Sequence, residues 1–130
     1  MVVVAIIGLG TALATLALRD TEGAALARDA ERLAALLESA RAQSRATGVP
    51  VHWRPTAAGF AFDGLPASAA ALPGNWLDTR TAAVGNATLT LGPEPVIGAQ
   101  AVLLQRAGAD TPPLRVATDG LRPFVVEPGQ

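Results

Sequence analysis

The chain has 130 residues, half of them hydrophobic but only 4% aromatic, with 11 acidic against 10 basic residues, a formal net charge of −1 and no cysteine. That length suits one compact domain rather than two, and a core of alanine, leucine and valine leaves little bulk for a deep, aromatic-lined ligand pocket. Near-neutral charge gives no general attraction to nucleic acid or anionic lipid, and the missing cysteines exclude disulfides, thiol catalysis and thiolate zinc sites.

Residues 1–18, MVVVAIIGLGTALATLAL, carry no charged side chain before Arg19. A spanning helix needs ~20 apolar residues, within a range of about 17–25. The run sits at the lower edge of that range and is weakened by Gly8, Gly10, Thr11 and Thr15. Three readings compete: a membrane helix whose beginning lies before Met1, a secretory signal peptide cut near Ala12-Leu13-Ala14, and a buried helix of a soluble domain. A signal peptide needs a basic segment ahead of the apolar run, and none is present. A buried helix needs a head large enough to cover it on every side, and the remaining chain is small. The membrane helix is the expectation, with Val2, Val3, Val4, Ile6, Ile7, Leu9, Leu13 and Leu16 as its membrane and assembly residues.

The helical pattern continues over 19–48. Leu26, Leu33, Leu37, Ala40 and Ser44 recur at steps of three, four and seven, one stripe of an amphipathic helix. Asp29 with Arg32, and Glu38 with Arg41, are spaced to pair on the exposed side. Gly23 is the one costly residue before Gly48, at about 1 kcal/mol against alanine, and Gly48 followed by Pro50 is a stop signal. The spacing predicts a nearly continuous helix of about 45 residues, apolar all round at first and on one side afterwards. Leu26, Leu33, Leu37 and Ala40 are the residues expected to pack this stalk on a head.

Residues 49–130 read as that head, rich in short strands and turns. Val49, Val51 and Trp53 alternate with Pro50, His52 and Arg54, and Phe60 to Phe62 returns after a turn over 55–59. Residues 64–75 read as a loop, with Trp76-Leu77 re-anchoring the chain. Further strands are expected at 87–91, 101–105, 114–118 and 123–126, the last two forming a hairpin around the turn dipeptide Asp119-Gly120. One long helix and about six strands without βαβ alternation predict an α+β fold, a ladle whose antiparallel sheet packs on the stalk.

No catalytic constellation emerges. His52 is the sole histidine and reads as a surface or edge residue. Ser39 and Ser44 lie on a helix without a base partner, and Asp63, Asp78, Asp110 and Asp119 sit among turns, where aspartate caps its own backbone. Gly8-x-Gly10 follows no strand, so it is no phosphate loop, and Gly10 with Ala14 has small-residue spacing that alanine-rich helices produce by chance. Neither an enzyme nor a bound cofactor or metal is expected.

The apolar run leading into a polar, alanine-rich helix resembles the N-terminal helix of type IV pilin-like proteins. Residues 26–53, LARDAERLAALLESARAQSRATGVPVHW, resemble the corresponding segment of H-type minor pseudopilins of the type II secretion system, and the tail DGLRPFVV (Asp119 to Val126) resembles that family's closing hairpin. Residues 64–85 carry none of the likeness. The basic leader, glycine, phenylalanine and glutamate of pilin-like precursors are expected upstream of Met1. The resemblance implies a type IV pilin-like ladle and a non-catalytic subunit near the tip of a periplasmic pseudopilus, helping to export folded proteins across the outer membrane. It would be a single-pass protein of the bacterial inner membrane, its head in the periplasm and its mature N-terminus methylated. Its implied partners are the major and minor pseudopilins through the N-terminal helix, membrane lipid before assembly, and secreted substrates or the outer-membrane channel. An alternative follows from the related DNA-binding minor pilins of natural transformation, in which Arg106, Arg115 and Arg122 would contact the DNA backbone. Three arginines among Asp110, Asp119 and Glu127 make a weak patch, so ordinary surface arginines are favoured and nucleic acid is not an expected partner.

Overall fold

A computed structural model describes the backbone at residues 2–66, 72–108 and 111–129, and within those ranges the side chains from residue 23 onward. It is an α+β structure: helix α1 (Val2–Thr47) followed by strands β1 (His52–Pro55), β2 (Phe60–Asp63), β3 (Thr81–Ala83), β4 (Leu89–Thr90), β5 (Gln100–Arg106), β6 (Leu114–Thr118) and β7 (Val125–Pro128). Helix α1 ends where the sequence stops it. Gly48 takes φ +73°, a conformation that costs glycine little, and its N–H donates to the Ser44 carbonyl at 2.8 Å.

The strands form two antiparallel sheets, one ordered β2-β1-β4 and the other β3-β5-β6-β7. In the larger sheet Val102 faces Val116, and Val116 faces Val126. These residues and Leu104 line the inner face, alternating with Leu103, Arg115 and Glu127 outside. Helix α1 crosses β5, β6 and β7 on that inner face. Its stripe of Leu26, Ala30, Leu33, Leu37 and Ala40 is buried against Val51, Trp53, Phe60, Leu89, Leu91, Val102, Leu104, Val116 and Phe124. Burying a leucine or valine side chain contributes about 1.5–3 kcal/mol, so the stripe is the main cohesive surface between helix and sheets. Phe60 is the aromatic hub, its ring 5.9 Å from Trp53, 6.0 Å from Phe62 and 4.8 Å from Trp76.

Several expectations need correction. Among the described residues the head has two sheets and seven strands, because Thr81–Ala83 adds a short strand that was not expected, after the loop read at 64–75. The first strand starts at His52, the fourth shrinks to Leu89–Thr90, and the last moves on to Val125–Pro128. Asp119-Gly120 does not close a tight two-residue turn. The register pairs Ala117 with Val125, so the connection runs from Thr118 to Phe124 and folds back toward α1. Trp76 packs on Phe60 as an anchor, but Leu77 is 59% exposed. His52 is half-buried on the central strand of its sheet, with β2 on one side and β4 on the other, and is not at an edge.

Candidate functional surfaces

The stripe that carries Leu26, Leu33, Leu37 and Ala40 carries two charged residues as well. Asp29 stands three residues after Leu26, and Arg41 stands four after Leu37, so helical periodicity turns both toward the head. Asp29 is 1% exposed and Arg41 2%. The expected surface pairs therefore do not form as such. Arg32 turns away from Asp29 and donates to the Asn75 carbonyl at 2.7 Å. Arg41 does meet Glu38, at 3.5 Å, but on the buried side of the helix. Burying a charge is costly unless hydrogen bonds replace water, and both residues have them.

The Asp29 carboxylate accepts from the Leu77 N–H at 2.7 Å, the Asp78 N–H at 3.1 Å and the Thr81 hydroxyl at 2.7 Å. Asp78 organises the same loop from below. It accepts from the Arg80 N–H at 2.8 Å and from Arg106 Nε at 3.1 Å, and these two partners, the backbone N–H foremost, hold its carboxyl below the ordinary 3.8. At the other end of the stripe, Arg41 donates to the carbonyls of Arg122 (3.2 Å), Pro95 (3.1 Å) and Gly120 (3.0 Å). Glu38 accepts from the Phe124 N–H at 3.1 Å, and Ser44 donates to the Val49 carbonyl at 2.7 Å. Two polar posts on one helix face thus hold three loops of the head. Most of the partners are backbone groups, so the arrangement ties the loops to the helix.

The three arginines singled out in the sequence are not gathered together. Arg106, at the end of β5, is largely buried against Asp78. Arg115, on the outer face of β6, pairs with Glu127 at 3.1 Å, and Arg122 lies 3.9 Å from Asp119. Arg115 and Arg122 flank a shallow groove of about 420 Å³, whose walls also carry Asp119 and Glu127. Its two positive and two negative charges cancel. The N–H groups of Arg122 and Leu121 hold the Asp119 carboxyl below its ordinary value, so it stays ionised there. Sequence reasoning missed a second cleft of about 270 Å³, where Trp76 and Asn75 face residues 56–59 and Thr79; its only signal was a tryptophan among turn residues.

Other candidates fall out singly. Ser39 is exposed, Asp63 pairs with Arg54 at 2.8 Å, and Asp110 lies outside the described residues. Among the described residues, no group of three or more histidine, aspartate or glutamate side chains could hold a metal ion. The assembly residues Val2, Val3, Val4, Ile6, Ile7, Leu9, Leu13 and Leu16, with Gly10 and Ala14, fall within α1, but their side chains lie outside the described residues. Among the described residues no helix is long and apolar enough to cross a membrane. No family model, curated protein or solved structure matches the chain.

Proposed function

We propose that this chain is a non-catalytic assembly subunit of the type IV pilin-like kind, a minor pseudopilin of the H type, built as a ladle whose helix docks a β-rich head. The observation that carries the reading is the division of labour along α1. Residues 26–44 spend one face on the head, through an apolar stripe and two buried charged posts. Residues 2–18 of the same helix are uncharged and apolar all round in sequence. A segment of that second kind is stable only under lipid or neighbouring helices, which suits a subunit held in the inner membrane and then packed into a helical bundle. The residues that hold the head to the helix spend most of their hydrogen bonds on backbone groups of the head.

The nucleic-acid alternative has less behind it, because Arg106, Arg115 and Arg122 each face an acid of the same chain. Phosphate binding grows with the number of uncompensated positive charges. A gel-shift assay at low salt should show no retarded DNA at high micromolar protein; a shift abolished by Arg115→Ala with Arg122→Ala would restore that reading.

The test of the pseudopilin reading is the mass and N-terminal sequence of the native protein extracted from the inner membrane of its own cell. A mature form beginning upstream of Met1 at a methylated phenylalanine is the expected result. A form beginning at Met1, or cut near Ala14, would end the assignment.

A further inference from the structure

The outer edge of β4 is covered by a side chain. Thr90 pairs with His52 of β1, while the neighbouring Leu91 N–H donates to the Val51 carbonyl at 2.8 Å. Successive residues of a strand direct their backbone groups to opposite sides, so the N–H and C=O of Thr90 point away from β1, to the free edge of the sheet. Gln100, the first residue of β5 in the other sheet, supplies the partner. Its Oε1 accepts from the Thr90 N–H at 2.7 Å, and its Nε2 donates to the Thr90 carbonyl at 2.8 Å, with a longer contact to the Ile97 carbonyl at 3.4 Å. A carboxamide has the donor and acceptor of one peptide unit. The two bonds to Thr90 reproduce the exchange that one residue of a neighbouring antiparallel strand makes.

An unpaired edge is a template for another chain, and two other edges here are covered in part by different means. The Phe60 N–H of β2 donates to the Gly74 carbonyl, and β7 ends in Glu127 and Pro128, the latter without an N–H to offer. At β4 the exposed backbone pair is met by Gln100 alone among the described hydrogen bonds. We propose that Gln100 acts as a side-chain stand-in for a neighbouring strand and closes the β4 edge against pairing with a second copy of this chain. The edge offers one N–H and one C=O at strand spacing, which an extended main chain fits, and the same edge of a second copy is self-complementary to it about a two-fold axis. The inference does not depend on the pseudopilin reading.

The experiment uses the full chain in mild detergent and follows amide exchange at Thr90 together with mass by sedimentation, at rising protein concentration. In the native chain the Thr90 amide should be protected at every concentration, with a mass that sets the baseline for association through the apolar run. In Gln100→Leu, similar in size but without donor or acceptor, that amide should exchange about tenfold faster in dilute solution, the loss of one ordinary hydrogen bond. Protection and added mass should return together as concentration rises. Adding Thr90→Pro removes the outward N–H without touching the β1 pairing, and should abolish the added mass. Unchanged Thr90 protection in Gln100→Leu would overturn the bridging role. Protection lost and never regained, at the native mass, would overturn the pairing role. If Gln100→Leu does not fold, Gln100→Asn, whose shorter side chain cannot span both bonds, makes the same measurement with the same outcomes.

Discussion

Replacing Asp29 by alanine removes one carboxylate and leaves three donors behind: the N–H groups of Leu77 and Asp78 and the hydroxyl of Thr81. Hydrogen bonds to a charged group contribute about 1.5–3 kcal/mol each, which sets a ceiling of roughly 4.5–9 kcal/mol for the three. Much of this is recovered, because Leu77 is exposed and its loop regains water once released. Thr81 is buried and its hydroxyl is not so easily rehydrated. A net loss of ~3 kcal/mol is expected, near the usual cost of leaving buried polar groups unpaired. With about 2.1 cal/mol/K of unfolding entropy per residue, that lowers Tm by roughly 11 °C. Thermal melting of the full chain in mild detergent, followed by tryptophan fluorescence, reads the loss. It should also show an altered native signal, since Trp76 adjoins the released Leu77. Asp29→Asn keeps a carbonyl for one set of donors and should lose about half as much. A drop of less than about 4 °C for Asp29→Ala would refute the idea that this post holds the head to the helix.

Leu33→Ala and Leu37→Ala, each emptying a fully enclosed site on the stripe, should cost about 2–5 kcal/mol by denaturant or thermal unfolding, whereas Ser39→Ala on the exposed side should stay within about 0.5 kcal/mol. Gly120→Ala should destabilise and loosen the connection over 118–124: φ is +99° there, and a Cβ would meet the Gly98 backbone at 2.7–2.9 Å, with no flexible atom to give way. Its unfolding should resemble that of Arg41→Ala, because both release the Gly120 carbonyl from the guanidinium. Asp78 and Asp119 are held below 3.8 in the folded chain, so the unfolded chain takes up protons first as pH falls. Their contribution is complete above that ordinary value and fades as pH drops through the lowered one, so Tm should hold from neutral pH to about pH 5 and then fall. Asp78→Asn should flatten part of the acid limb.

The helix stripe was legible because Leu26, Leu33, Leu37 and Ala40 repeat at the helical period, and that period alone assigns them to one face. The α+β class followed from the change of period at Val51 and Trp53. Less legible were features decided by distant partners. Asp29 and Arg41 looked like members of solvent-facing i,i+3 pairs, yet apart from the Arg41–Glu38 contact their hydrogen-bond partners lie between 48 and 81 residues further along the chain. A signal was present all the same, since both fall on the stripe positions themselves, and position outranked charge once the loops supplied partners. Strand β3, three small residues with a single β-branched side chain, has too little pattern to register; its pairing with β5 makes it a strand. Gln100 precedes the strand expected at 101–105, and nothing local marks it as the partner of Thr90.

The spacing of the two posts has a mechanical consequence. Asp29 and Arg41 lie about three helical turns apart, roughly 18 Å along the axis, and each grips different loops of the head. A pull along α1 loads both at once, in shear, so the grip does not peel open from one end. Leucines and alanines alone would let the helix slip by one turn and settle again on similar neighbours. Hydrogen bonds fixed to within a few tenths of an ångström do not allow that, because a slide of one residue, about 1.5 Å, breaks every one of them. Under axial load the helix and its head therefore travel as one body until all the bonds fail together.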